Sequence, residues 1–89
     1  RIVYIDRFGN AMTGLRAAGL AAGTVLRIGA HRLARARTFS EVSPGTAFWY
    51  ENANGLVEIA VNRRRADQRL GLGPGDRVAF AESVRDRDR

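Results

Sequence analysis

Short apolar runs separated by glycine, asparagine and proline set the pattern of this chain, and their lengths suit strands better than helices. Ile2, Val3, Tyr4 and Ile5 read as a buried strand that runs out into a turn at Gly9. Leu15 to Leu20 reads as a short helical turn closed by Gly19 or Gly23. Thr24 to Gly29 is the next strand, with Val25, Leu26 and Ile28 apolar around Arg27, and Ala30, His31 and Arg32 form a turn after it. Leu33 to Phe39 alternates, Arg35 and Arg37 on one face and Ala34 and Ala36 on the other, as in a half-exposed strand. Ser43-Pro44-Gly45 places proline and glycine at the positions of a type II turn.

The clearest element is a hairpin. Thr46 to Glu51 and Leu56 to Val61 flank Asn52-Ala53-Asn54-Gly55, and Asn-Gly supplies the positive φ angles of a tight turn. Phe48, Trp49 and Tyr50 are consecutive, so both faces of that strand carry a ring; core packing is expected for Phe48 and Tyr50, with Trp49 open to surface use. Asn62 to Leu70 has helical character, with Asn62 as cap, Gly71 or Gly73 as terminator and Pro74 beyond. The turn Gly73-Pro74-Gly75-Asp76 leads into a last strand, Arg77 to Ala81. The sum is about six strands and one short helix: a mainly all-β chain folded as a small, partly open β-barrel.

Eighty-nine residues make one small domain, here 1–82, followed by a self-neutralising Arg-Asp tail, 83–89, that is expected to be disordered. Cysteine is absent and His31 is the one histidine, which removes disulfides, thiolate metal sites and multi-histidine sites from within the chain. Neither an apolar run of about 18 residues nor a secretory signal is present, so the expected location is cytoplasmic and away from the membrane. The chain starts at Arg1 without methionine, as a fragment or processed piece would.

The net charge of +6 and a pI near 11.4 make a polyanion a serious partner. All 15 basic residues are arginine, and they are spread along the chain, which suits a solvated surface. Single-stranded nucleic acid is the competing partner; it would need Trp49, Tyr50, Arg35 and Arg37 on one exposed face. Arg63, Arg64 and Arg65 fall in the first turn of the expected helix, where cations and free backbone N–H groups together favour an anion; Glu51, Glu58 or Asp67 could equally neutralise them.

Asp6, Phe8 and Asn10 sit at i, i+2 and i+4, so an extended backbone points a carboxylate, a ring and a carboxamide to one side. Such a surface could grip a nucleoside, and the same residues are also ordinary turn formers.

Three motifs resemble one family. They are Tyr4-Ile5-Asp6-Arg7-Phe8-Gly9-Asn10; Arg37-Thr38-Phe39-Ser40-Glu41-Val42 with Pro44-Gly45; and Asn52 to Arg63, followed by Leu70-Gly71-Leu72 and Gly75-Asp76-Arg77-Val78. In order and spacing the set resembles the C-terminal domain of the S-adenosylmethionine hydroxide adenosyltransferases, relatives of the bacterial fluorinases and chlorinases. The resemblance implies a two-domain, trimeric enzyme in which water or hydroxide attacks C5′ of S-adenosylmethionine to give adenosine and methionine. It implies catalytic groups in an N-terminal domain and a ligand held between this domain and the N-terminal domain of a neighbouring subunit. S-adenosylmethionine is then a substrate, and neither a cofactor nor a metal is implied.

By the same resemblance Asp6 holds the substrate amine, Phe8 packs on the ligand and Asn10 bonds the nucleoside. Ala53 and Asn54 meet the methionine carboxylate, Asn62 and the Arg63 backbone read the adenine edge, Phe39 lies near the adenine face, and Glu58 faces the site. Asp6, Phe8, Asn10, Asn54 and Asn62 should therefore share one mouth of the barrel. Ala53 stands where many relatives have serine, and Arg63-Arg64-Arg65 where small residues are usual. Arg64 or Arg65 is a candidate to compensate at the carboxylate. The other reading under this resemblance is an inactive trimerisation module.

Overall fold

The hairpin of aromatic and β-branched residues forms the middle of the sheet. In the computed structural model, which describes residues 1–81, β5 (Ala47–Glu51) and β6 (Leu56–Val61) pair antiparallel from Ala47↔Val61 to Glu51↔Val57. Around them lie β1 (Ile2–Ile5), β2 (Ala11–Arg16), β3 (Leu26–Ile28), β4 (His31–Arg35), a 3-10 turn at Phe39–Glu41, α1 (Ala66–Leu70) and β7 (Ala79–Phe80). The seven strands form one curled sheet in the order β1-β2-β6-β5-β4-β3-β7, with only β4 and β5 parallel. Backbone bonds from Ile2 N to Asp76 O (2.8 Å) and from Gly75 N to Ile2 O (2.7 Å) bring the β1 edge onto the turn before β7. The expected mainly all-β, partly open barrel with one short helix is the observed fold.

Alternation along β5 and β6 divides the rings between two faces. Trp49, Val57, Ile59 and Val61 join Ile2, Ala11, Leu26, Ile28 and Leu33 in the barrel interior. Phe48 and Ala60 point the other way and form a second cluster with Ala36, flanked by Val42 and Tyr50. Trp49 is fully buried, its indole N–H donating to Thr24 O (3.0 Å) and the Arg35 guanidinium lying 4.8 Å over its ring. That corrects the expectation of a surface Trp49. A large ring on a central strand with a partner for its N–H belongs in the core. With Trp49 inside, the exposed face that the nucleic-acid reading requires is not formed.

Other boundaries differ too. Leu15 and Arg16 end β2, a strand that raises the count to seven, and of the expected helical turn only Ala17 to Leu20 turns, closed by Leu20 N on Ala17 O (3.0 Å). The residues of β2 have little strand propensity, but β1 and β6 pair with it on both sides and Thr13 Oγ1 donates to Val57 O (2.8 Å). His31 and Arg32 open β4 rather than a turn, and β4 ends at Arg35, before Phe39. The outer strands are shorter than expected, β3 covering Leu26–Ile28 and β7 Ala79–Phe80. The helix covers only Ala66–Leu70, with Arg65 at its N-cap and Gly71, left-handed at φ 70°, ending it as expected. Asn62 does not cap it; its amide donates to Val42 O (2.8 Å). The arginines 63–65 therefore precede the helix. The expected tail, 83–89, and the domain end at 82 lie outside the described residues.

Candidate functional site

Asp6 builds the loop that follows β1. Its Oδ1 accepts from the backbone N–H of Phe8 (2.9 Å) and of Asn10 (3.0 Å), while Asp6 N donates to Asn10 O and Gly9 N to Asp6 O. An aspartate that satisfies two amides in this way is a turn former, and it also fixes where Phe8 and Asn10 stand. From the other side Asp67 N donates to Gly9 O (3.0 Å) and Arg65 Nη1 donates to Arg7 O (2.8 Å). Asp6 Oδ2 makes no hydrogen bond within the described residues.

The loop forms one wall of an open cavity of about 560 Å³ lined by Phe8, Asn10, Phe39, Val61, Arg63, Arg64 and Arg65. Phe39 reaches it from the 3-10 turn, held edge-on to Phe48 (centroids 5.3 Å apart) and Tyr50 (6.1 Å). Arg37 and Glu41 close that turn: Glu41 accepts from the Arg37 backbone N–H (2.7 Å) and from its guanidinium (3.3 Å). Phe8 is 68% exposed and Phe39 44%, so two aromatic faces are open to a ligand. Arg63 is held at φ 63° by the tight turn in which Arg64 N donates to Val61 O (3.1 Å). The rim is cationic, with the Arg7 guanidinium 5.5 Å from the Phe8 ring and Arg65 paired to Asp67 (3.1 Å). That pairing, the Arg65 hydrogen bond foremost, lowers the Asp67 carboxyl below its ordinary value of 3.8.

Along the outer face of β5 and β6 the site becomes acidic. Glu58, 6% exposed, sits opposite Tyr50 on β5 and Met12 on β2, and accepts from Asn52 Nδ2 (3.0 Å). Burial foremost, then the hydrogen bond and charge of Glu58 and the charge of Asp6, push the Tyr50 phenol well above its ordinary value. A buried carboxylate thus stands cross-strand from the phenol, beside the Phe39–Phe48–Tyr50 rings.

Of the expected site residues, Phe8, Asn10, Phe39 and Arg63 line the cavity, Asp6 holds the loop that carries Phe8 and Asn10, and Glu58 stands opposite Tyr50. Asn62 lies at the cavity end of β6, mostly buried, tying Val42 to that end. Ala53 and Asn54 stand in the exposed β5–β6 turn, at the opposite end of β6. The single mouth expected for Asp6, Phe8, Asn10, Asn54 and Asn62 is therefore not observed: a six-residue strand, roughly 17–20 Å long, separates its ends. For the same reason Arg64 and Arg65, at the cavity end, do not stand beside Ala53. Sequence reasoning missed Asn52 and the outward role of Tyr50; the Asn-x-Asn-Gly turn carried the signal for the first. Among the described residues no group of three acids or histidines could hold a metal, and no helix is long and apolar enough to cross a membrane.

The profile of the SAM hydroxide adenosyltransferase C-terminal domain matches residues 1–79. Among curated proteins, an (R)-S-adenosyl-L-methionine hydrolase of Thermus thermophilus is 42% identical over 74 residues, 83% of this chain and 28% of that protein. Proteins of the same name from Salinispora arenicola and Salinispora tropica are 40% and 35% identical, each over 86% of this chain and 30% of their own length. This chain thus spans about 30% of the length of these relatives. Among solved structures, a conserved hypothetical protein from Thermus thermophilus superposes with a TM-score of 0.81 at 41% identity, over 90% of this chain and 33% of that one. An uncharacterized conserved protein from Thermotoga maritima gives 0.76 at 26% identity, over 90% and 34%.

Proposed function

The chain belongs to the SAM hydroxide adenosyltransferase family, as its C-terminal domain, and we propose that it is the substrate-holding part of an enzyme that hydrolyses S-adenosylmethionine to adenosine and methionine. The substrate is the (R)-sulfonium form named for the curated relatives. The observation that carries the reading is the order of groups along β6. A cavity with two open aromatic faces and an amide, beside the Asp6 loop, lies at one end, a buried carboxylate opposite a phenol lies midway, and a polar turn lies at the other end.

S-adenosylmethionine is elongated in the same order. Its base would sit against Phe8 and Phe39, with Asn10 on the nucleoside and Asn62 and the Arg63 backbone at the adenine edge. Asp6 would take the amine through Oδ2, and the turn at Ala53 and Asn54 would meet the carboxylate. The sulfonium between them carries a full positive charge, which the Tyr50 and Phe39 rings and the Glu58 and Asp6 carboxylates suit.

In the reaction, a water oxygen forms a bond to C5′ as the C5′–S bond breaks. The electron pair stays on sulfur, methionine leaves as a neutral thioether, and the water proton passes to a base outside this domain. This chain's share is to hold C5′ in line and to favour the cation, and alignment alone is a large rate factor. Catalytic groups reside in an N-terminal domain, and the working unit is a cytoplasmic homotrimer whose ligand lies between this domain and the N-terminal domain of a neighbouring subunit. No resident cofactor takes part.

The test is to express the full reading frame that encodes this chain, incubate it with S-adenosylmethionine, and follow products by chromatography. Adenosine and methionine in equal amounts support the reading. A folded protein that yields neither, with chloride and fluoride also supplied, overturns it in favour of an inactive trimerisation module.

A further inference from the structure

We infer that Glu58 is a positioning residue: through the Asn52 side chain it fixes the β5–β6 turn, 52–55, and so sets the place of Ala53 and Asn54. The functional consequence rests on the reading above, in which that turn meets the substrate carboxylate; the positioning itself rests on geometry alone.

Every polar atom of Asn52 but one is bonded at the turn it opens. Its backbone N donates to Leu56 O (2.9 Å), and its carbonyl accepts from Gly55 N (2.9 Å). Its side-chain Oδ1 accepts from Asn54 N (2.9 Å) and from Leu56 N (3.0 Å). What remains is the amide nitrogen, and it donates to Glu58 Oε1 at 3.0 Å.

A carboxylate can only accept, so it selects the amide orientation that turns Asn52 Nδ2 towards it. The opposite orientation would set an NH₂ group against two backbone N–H donors and leave Oδ1 facing a negative charge. Glu58 is itself held, buried at mid-strand with Tyr50 and Met12 as its cross-strand neighbours. A rigid sheet residue thereby dictates the geometry of an exposed turn, the arrangement that lets a loop act as a preorganised site. The turn has a second anchor in Ala17 N, which donates to Gly55 O (2.9 Å), so loss of Glu58 should loosen Asn54 without unfolding the hairpin.

The test uses backbone amide exchange in the 89-residue chain, read by NMR in wild type, Glu58→Gln and Glu58→Met. Glutamine can still accept from Asn52; methionine cannot. The expected result is that Asn54 and Leu56 amides exchange about tenfold faster in Glu58→Met and within about threefold of wild type in Glu58→Gln, with the Ile59 and Ala60 amides unchanged in both. Unchanged Asn54 and Leu56 exchange in Glu58→Met, or equal loss in both variants, overturns the inference. Should Glu58→Met not fold, Asn52→Asp decides. It keeps an oxygen towards the turn but sets a second carboxylate against Glu58, so protection should be lost at neutral pH and regained on acidification; protection independent of pH overturns the inference. In the protein from the full reading frame, Glu58→Met should raise KM for S-adenosylmethionine about tenfold with little change in kcat, and Glu58→Gln, which keeps the acceptor for Asn52 but loses the charge facing the sulfonium, should recover only part of that loss. If the wild-type protein turns over no S-adenosylmethionine, the proposed activity fails while the exchange data still decide the role of Glu58.

Discussion

Gly9 and Arg65 are packed against each other so closely that a Cβ at Gly9 would lie 2.6 Å from the Arg65 Cβ and 2.8 Å from Asp67 Oδ1. Gly9 also sits at φ +84°, where side chains are strained. The site loop and the start of α1 meet only because position 9 has no side chain. Gly9→Ala should therefore cost about 2–4 kcal/mol, clash and strain together. Gly19→Ala, at φ +89° with open space around it, should cost only the strain, about 1 kcal/mol. Urea midpoints of the two variants check this; equal losses would mean that the contact is not tight.

Arg63 occupies a left-handed position that glycine fits best, φ 63°. Arg63→Gly should stabilise the fold by about 1 kcal/mol. Because the adenine edge is assigned to the backbone here, the same variant should leave adenosine affinity within about threefold of wild type. A fall in affinity beyond tenfold would assign the contact to the guanidinium instead.

Acid should loosen the clamp between α1 and the site loop. Asp67 has its folded pKa below the ordinary 3.8 because of Arg65, so the stability it contributes is present above that ordinary value and is lost as pH falls through the depressed one. Glu41, lowered by the Arg37 backbone N–H first of all, adds to the same acid limb. Asp67→Asn should flatten the decline of melting temperature below about pH 4. An unchanged slope would mean that Arg65 and Asp67 do not pair in solution.

Buried Trp49 should report the core and ignore ligands at the surface. Its emission should be blue-shifted, resistant to acrylamide and unaltered by single-stranded oligonucleotide at low salt. Trp49→Ala should cost about 3–5 kcal/mol. Oligonucleotide quenching that weakens steeply with salt would restore the nucleic-acid reading.

The sequence was most legible where local and long-range preferences agree. Asn-Gly between two runs of aromatic and β-branched residues specifies the β5–β6 hairpin, and the observed register follows. It was least legible at Ala11–Arg16, where alanine, glycine and arginine make a strand only because neighbours pair on both edges. The ring order Phe48-Trp49-Tyr50 told that both faces would carry rings, but not which face was interior; that depends on a partner for the indole N–H, supplied by Thr24 far away in sequence. At the site, Phe8, Asn10, Phe39 and Arg63, four of the residues to which the family motifs point, share one cavity. The separation of Asn54 from Asn62 was not legible, since it follows from the length and direction of β6. Asn62 looked like a helix cap, and its amide is used on Val42 instead.

The most direct test is a crystal structure of the protein from the full reading frame, grown with adenosine and methionine. The account predicts adenine in the cavity against Phe8 and Phe39, within hydrogen-bonding reach of Asn62 and the Arg63 backbone, and the methionine carboxylate at Asn54. Adenosine bound elsewhere, with this cavity filled only by solvent, would contradict it.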